Sequence, residues 1–208
     1  MRLLPRGRQR WGNPVNSESY GIVVSVGTDH HRFDRLIDWV DLSLESWGSQ
    51  EPPRCLVQYG ASRKPRNADG VERLPREQLL ELYRQADVVV VQGGPGSILD
   101  AREIGRVPLA VPRDPGLREV VDAHQAAFSA VMAQHGNAVV VDSWEAFHRQ
   151  LMEMSASPEN FTTAPRVANP ELAAARIAEH IDRILAEPPR RRGRFIRRLR
   201  QVLRRSGD

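Results

Sequence analysis

Between a run of four valines and an apolar helical pattern stands Gln92-Gly93-Gly94-Pro95-Gly96-Ser97. Glycines in such a turn permit positive φ and let a ligand lie against bare backbone, with no Cβ in the way. The helix that follows offers unpaired N–H groups and the positive end of its dipole, a seat for phosphate. The same turn also serves as a plain strand-to-helix connection with nothing bound. Two familiar phosphate motifs are absent. A dinucleotide fingerprint counted from Gly94 and Gly96 needs glycine where Leu99 stands, and a P-loop needs Gly-Lys-Ser/Thr, whereas the only lysine is Lys64.

Other residues extend the chemistry. Asp100 lies one helical turn beyond Ser97, where its carboxylate can accept from a pair of sugar hydroxyls just past a diphosphate. It equally suits the first turn of any helix, where a negative charge meets the dipole. His124 and Gln125, at or near the start of a later helix, form a neutral donor–acceptor pair suited to sugar hydroxyls, or an ordinary exposed helix pair. After the first strand, Gly27 and Thr28 precede Asp29, His30 and His31. His30, at the rim of any cleft there, is a candidate general base, with a solvated loop histidine as the plain alternative. Asp29, His30, His31 and Asp34 also raise the question of a metal, but neither paired spacing nor a cysteine supports one, so none is expected.

Elements must hold these residues in place. Tyr20–Val26 is a β-branched run ending in Gly27-Thr28, a buried strand and tight turn. Phe33, Leu36, Ile37, Val40 and Leu44 follow at helical spacing, predicting a helix from Phe33 to about Trp47. RCLVQYG reads as a second strand, RKPRNADG as a polar loop and VERL (Val71–Leu74) as a brief third strand. Pro75 suits the first turn of a helix carrying Leu79, Leu80 and Leu82. DVVVVQ shows no alternation, so both its faces are expected to be covered. Ser97 is expected to cap the next helix, which stops at Gly105. Then come a strand at VPLAVP, a helix over Val120–His135, a strand at NAVVV and a helix over Ser143–Met154 capped by Ser143. A Pro/Thr/Ser-rich loop over 155–168 leads to a closing helix over Pro170–Leu185. Short-spaced alternation of strands and helices means parallel βαβ units, an α/β Rossmann-like parallel sheet with helices on both faces. Ligands of such sheets sit at the carboxyl ends of the strands, so the loops after Val26, Leu74, Gln92 and Val111 matter most.

At 208 residues the chain has room for one such domain, expected over 20–187, behind a flexible lead at 1–19. No stretch approaches the roughly 20 apolar residues of a bilayer span. The charged N-terminus has no apolar run behind it, so it does not read as a secretory signal. The single cysteine, Cys55, reads as a buried strand thiol in a reducing compartment. The net charge of +4 is unevenly placed: residues 190–208 hold nine arginines and one acid, leaving 21 basic and 25 acidic residues elsewhere. Within this tail (188–208), Phe195, Ile196, Leu199, Val202 and Leu203 share one helical face. Such a helix can lie on an anionic membrane surface, each basic residue contributing about 1 kcal/mol, although a solvated tail is the plain alternative. Few aromatics accompany the arginines and no RNA module appears, so nucleic acid is not the expected partner.

The stretch ADVVVVQGGPGSILDAREIGRVPLAVPRDPGLREVVDAHQ resembles the C-terminal, donor-binding half of glycosyltransferase family 28 proteins, the group that includes the peptidoglycan GlcNAc transferase. The shared features are Ala86-Asp87, Gly94-Pro95-Gly96-Ser97, Asp100, Gly105 with Pro108, and His124-Gln125. The front end, VVSVGTDHHRFDRLIDWVD, is similar to the small catalytic subunits of two-component bacterial exopolysaccharide glycosyltransferases. The resemblance covers residues 20–155 and implies one half of a GT-B fold.

By this resemblance Gly94, Pro95, Gly96 and Ser97 hold the diphosphate of a UDP-sugar, and Asp100 bonds the ribose. Gln125, with His124 beside it, meets the donor sugar. Gly27 and Thr28 line the cleft, and the segment with Val71, Arg73 and Leu74 meets the base mainly through backbone. Asp100 replaces the family's usual glutamate, and Gln92 replaces a histidine found before the glycines in many relatives. In full-length relatives the base lies in the other half, which weighs against His30. The resemblance implies inverting transfer to a lipid-linked saccharide acceptor, in exopolysaccharide or envelope glycan synthesis. It implies no cofactor, and a separate, membrane-anchored partner subunit that binds the acceptor. The expected location is cytoplasmic, at the inner face of the plasma membrane. A non-catalytic nucleotide-binding scaffold that docks a partner or membrane is the alternative.

Overall fold

The computed structural model describes residues 19–48, 51–166 and 169–186. Residues 1–18 of the expected lead and the arginine tail lie outside the described residues. The chain divides into two units, Met1–Arg166 and Val167–Asp208. The first holds a six-stranded, all-parallel sheet. Its strands are β1 (Ile22–Ser25), β2 (Cys55–Gln58), β3 (Asp69–Val71), β4 (Val88–Gln92), β5 (Leu109–Val111) and β6 (Val139–Val140). Their order is β3-β2-β1-β4-β5-β6. Four helices connect them, α1 (Asp34–Glu45), α2 (Arg76–Gln85), α3 (Pro95–Glu103) and α4 (His124–Gln134), and α5 (Trp144–Ala156) follows β6. In the second unit, α6 (Pro170–Ala186) carries Leu172, Ile177 and Ile181 exposed.

The unalternating valine runs divide their side chains between two cores, as the period of two in a strand requires. Ile22, Val24, Val88, Val90, Leu109 and Val111 pack with α1 and α5 through Phe33, Leu36, Ile37, Val40, Phe147 and Leu151. Val23, Val89, Val91 and Ala110 face the other way, onto Leu80 and Tyr83 of α2, Ile98 and Ala101 of α3, and Met132 of α4. Burying strands on both faces is what a parallel sheet demands, and the α/β Rossmann-like reading holds.

Element ends differ from the expected ones for identifiable reasons. The third strand lies two residues earlier than VERL, at Asp69–Val71. Beyond it the backbone is diverted: the N–H of Leu74 donates to the side-chain Oε1 of Gln58 at 3.0 Å instead of to a strand carbonyl. The polar loop before β3 is organised by Asp41, fully buried on α1, whose Oδ1 accepts from the N–H groups of Arg66 (2.9 Å) and Asn67 (3.0 Å). Ser97 does not cap α3. Gly94 is the N-cap, in an extended conformation, because Pro95 fits the first helical position with its fixed φ and missing N–H. Gly105 does end that helix, at φ 84°. The helix expected from Val120 begins at His124, after a short 3₁₀ turn at Pro115–Leu117 in which Asp114 accepts from the N–H of Gly116. Ser143 caps α5 as expected, accepting from Ala146 at 3.3 Å, but the helix continues to Ala156 and a 3₁₀ turn follows at Pro158–Phe161.

Candidate functional site

Strand order reverses between β1 and β4, so the connections leaving their carboxyl ends run in opposite directions and open a crevice. A cleft of about 360 Å³ lies there. Its walls come from the ends of β1 (Ser25, Gly27, Thr28), β2 (Gln58) and β4 (Gln92), from α3 (Gly96, Ser97, Asp100), and from Leu74, Arg76 and Leu79. A hollow of about 400 Å³ opens beside Pro52–Cys55 and Arg66–Asp69, at the amino ends of β2 and β3, the edge opposite to where such sheets hold ligands.

The floor is a polar chain. Gln58 Nε2 donates to Ser25 Oγ at 3.0 Å, and the N–H of Gly27 points to the same oxygen at 3.3 Å. Gly27 takes φ 84°, and a Cβ on it would meet the Gln92 amide at 3.0 Å. Gln92 Nε2 reaches Ser97 Oγ at 3.3 Å, while its Oε1 is buried without a partner among the described residues. A buried acceptor left open at the floor of a cleft suits a donor arriving from outside.

Each glycine of the turn has its own spatial reason. A Cβ on Gly93 would strike Ser129 Oγ at 2.5 Å and Pro112 Cα at 2.8 Å, so that position is fixed by packing. The buried Ser129 hydroxyl closes the same contact by donating to the Gly93 carbonyl at 2.8 Å. Gly94 lies against the Gln92 side chain, and Gly96 faces open space. In the first turn of α3 the N–H groups of Gly96 and Ser97 have no carbonyl behind them in the helix, so they remain available on the cleft side.

Asp100 is half-buried on the cleft wall and already has a cation. Arg76, the first residue of α2, donates to its Oδ1 through Nε at 3.0 Å and Nη2 at 2.8 Å, and also reaches Glu103. These bonds to Asp100, then to Glu103, raise the arginine's affinity for its proton. Arg76 is the one cationic side chain on the cleft wall among the described residues. Sequence reasoning missed it, as it missed Ser25 and Gln58. The available signal was an arginine directly after Pro75, at a helix start following a strand end.

Of the expected site residues, the cleft gathers Gly27, Thr28, Leu74, Gly96, Ser97 and Asp100. Gly94 and Pro95 form the turn beside it. Val71 ends β3 half-buried and Arg73 is exposed; neither lines the cleft. His124 opens α4 with its side chain 91% exposed, its Nδ1 2.7 Å from Asp122. Gln125 is half-buried, with Oε1 covered and unpartnered among the described residues. His30 is 86% exposed, and Asp29, His30 and His31 bring three possible ligand atoms within 4.8 Å of one another.

The family model for the glycosyltransferase family 28 C-terminal domain matches residues 22–184. The chain belongs to that family. This family 28 domain has no match among curated proteins by sequence. Similar solved structures include CalG4, the calicheamicin glycosyltransferase, with TM-score 0.49 and 16% identity over 85% of this chain and 45% of that one. MurG of Acinetobacter baumannii gives TM-score 0.46 and 15% identity over 71% and 47%. SnogD from Streptomyces nogalater gives 0.45 and 14% over 85% and 48%. The family 28 domain therefore spans less than half the length of each. Among its described residues, no helix is long and apolar enough to cross a membrane.

Proposed function

We propose that this glycosyltransferase domain is the donor-binding, catalytic half of a two-chain sugar transferase that takes a UDP-sugar. The observation that carries the reading is the cleft at the β1–β4 switch point. It combines the free N–H groups of Gly96 and Ser97 at the α3 N-terminus with a carboxylate, Asp100, one turn further on. The N–H groups take the diphosphate and stabilise it as it leaves, the main electrostatic task in glycosyl transfer. Asp100 accepts from the ribose through the oxygen that Arg76 leaves free. Arg76 holds the Asp100 carboxylate in place through Oδ1. The open Oε1 of Gln92 takes a hydroxyl. Gln125 and His124 serve the donor sugar, and the backbone between Val71 and Leu74 the base. With the helix terminus stabilising the leaving group, the chemistry requires no metal.

The acceptor is a lipid-linked saccharide in exopolysaccharide or envelope glycan synthesis, bound by a separate membrane-anchored subunit. Transfer inverts the anomeric centre, at the inner face of the plasma membrane, where the arginine tail meets anionic lipid. Calorimetric titration with UDP tests the nucleotide assignment. Wild type binds, and Asp100→Ala weakens binding about tenfold or more, as expected for loss of a charge-assisted hydrogen bond to a sugar hydroxyl. Absence of UDP binding by wild type rejects it.

A further inference from the structure

The loop after β1 holds two adjacent histidines, and only one of them is oriented. Asp29 Oδ1 accepts from the backbone N–H of His31 at 2.8 Å and from its ring Nδ1 at 2.7 Å. Because a carboxylate only accepts, Nδ1 is the donor in this pair, and in the neutral ring Nε2 is then the acceptor, with no partner among the described residues. The His31 side chain is 24% exposed, against 86% for His30, whose ring leans on it at 4.0 Å between centroids.

The backbone carrying this imidazole is clamped. Arg113, 2% exposed, comes from the loop after β5 and donates to the carbonyls of His31 (2.8 Å), Val26 (2.8 Å) and Glu119 (2.8 Å). It thus fastens His31, three residues along the chain from Thr28 on the cleft wall, to the carboxyl end of β1. The His31 N–H bond holds the Asp29 carboxyl below the usual aspartate range, assisted by the ring hydrogen bond and the Arg113 charge. Asp29 therefore stays ionised. A cation bound through Asp29 Oδ1 would compete with the two N–H donors already on that oxygen.

We infer that His31, with Asp29 as its orienting carboxylate, is the general base of the transfer, so that this chain supplies its own base. The inference rests on the transferase reading above. The acceptor hydroxyl gives its proton to His31 Nε2 as its oxygen bonds the anomeric carbon. The bond from that carbon to the diphosphate oxygen breaks, and its electron pair leaves with UDP. Asp29 stabilises the imidazolium that forms.

The test uses the full chain added to membranes from its own cells lacking the native copy. Label transfer from a panel of UDP-sugars into the lipid extract is measured beside UDP binding by calorimetry. His31→Ala lowers transfer about 100-fold or more while UDP affinity changes less than twofold, the size expected for loss of a general base. His31→Gln keeps a donor for Asp29 but cannot take the proton; it covers the case in which the alanine variant does not fold. Asp29 and His30 lie against the ring from its own loop, and Arg113, from the loop after β5, holds the His31 backbone carbonyl. Asp29→Asn removes the negative charge that stabilises the imidazolium as it forms, so transfer falls about tenfold or more while UDP affinity changes less than twofold.

Transfer at the wild-type rate by His31→Ala overturns the base while leaving the nucleotide site standing. Absence of UDP binding by wild type overturns the nucleotide reading itself. UDP binding with no transfer from any donor overturns catalysis and base together and favours a binding module. Bound zinc lost by His31→Ala and Asp29→Asn alike, with activity abolished by chelation, overturns the base in favour of a cation site.

Discussion

Arg113 donates through Nη1 and Nη2 to three backbone carbonyls and lays a face 4.8 Å from the Phe33 ring, while its Nε is buried without a partner among the described residues. Burial pushes its pKa down, opposed by the charges of Asp29 and Glu119. Arg113→Met keeps volume but strands three carbonyls, two of them in buried bonds, and should cost about 3 kcal/mol in denaturant unfolding. Cys55 is the converse: its burial, then the charges of Asp41 and Asp69, push the thiol far above its ordinary range. Alkylation of the folded chain at neutral pH should therefore be negligible and become rapid only in denaturant, as mass spectrometry would read. The glycines and Asp100 were legible because the turn and first helical turn are local. Arg76 and Arg113 were not, since their partners lie 24 and up to 87 residues away in sequence.

At the scale of elements, α3 separates packing from ligand access. A Cβ on Gly96 meets nothing within 4 Å, and the residue sits in a helical turn, so Gly96→Ala should leave stability unchanged or raise it by up to about 1 kcal/mol. If phosphate lies against that backbone, UDP affinity should nevertheless fall at least tenfold in the same calorimetric titration. Gly105, at the other end of the helix, behaves oppositely. Its φ of 84° and a Cβ position 2.4 Å from the Thr163 carbonyl predict a loss of about 3 kcal/mol on Gly105→Ala, visible as a lowered thermal midpoint. The helix stop at Gly105 and the Ser143 cap followed from sequence, because each depends on one residue's own backbone or hydroxyl. The α3 start did not: both Ser97 and Pro95 carry a start signal, and the proline's fixed φ won. The end of β3 was hidden for another reason, since a side chain from β2 takes the N–H that would have continued it.

For the whole molecule, alternation of strands and helices announced a parallel sheet, but no periodicity states that β4 returns beside β1. That placement creates the switch point, so the existence of a cleft was legible and its wall of Ser25, Gln58 and Arg76 was not. The charge asymmetry belongs at this scale too. Nine arginines in residues 190–208 against an acidic remainder predict that the full chain cosediments with anionic vesicles and not with neutral ones. Binding should be lost in about 1 M salt and on deleting 190–208.

The strand order also sets a timetable for synthesis. β1 lies between β2 and β4, and the second of these is made only when the chain reaches Val88–Gln92. At roughly 5–20 residues per second, a ribosome leaves one edge of β1 open for several seconds after β2 has emerged. The segment exposed meanwhile, IVVS, is largely apolar and β-branched, the composition that pairs with foreign strand edges. Chains stopped before β4 should accumulate on chaperones or in inclusion bodies, whereas those extending past β4 have that edge closed.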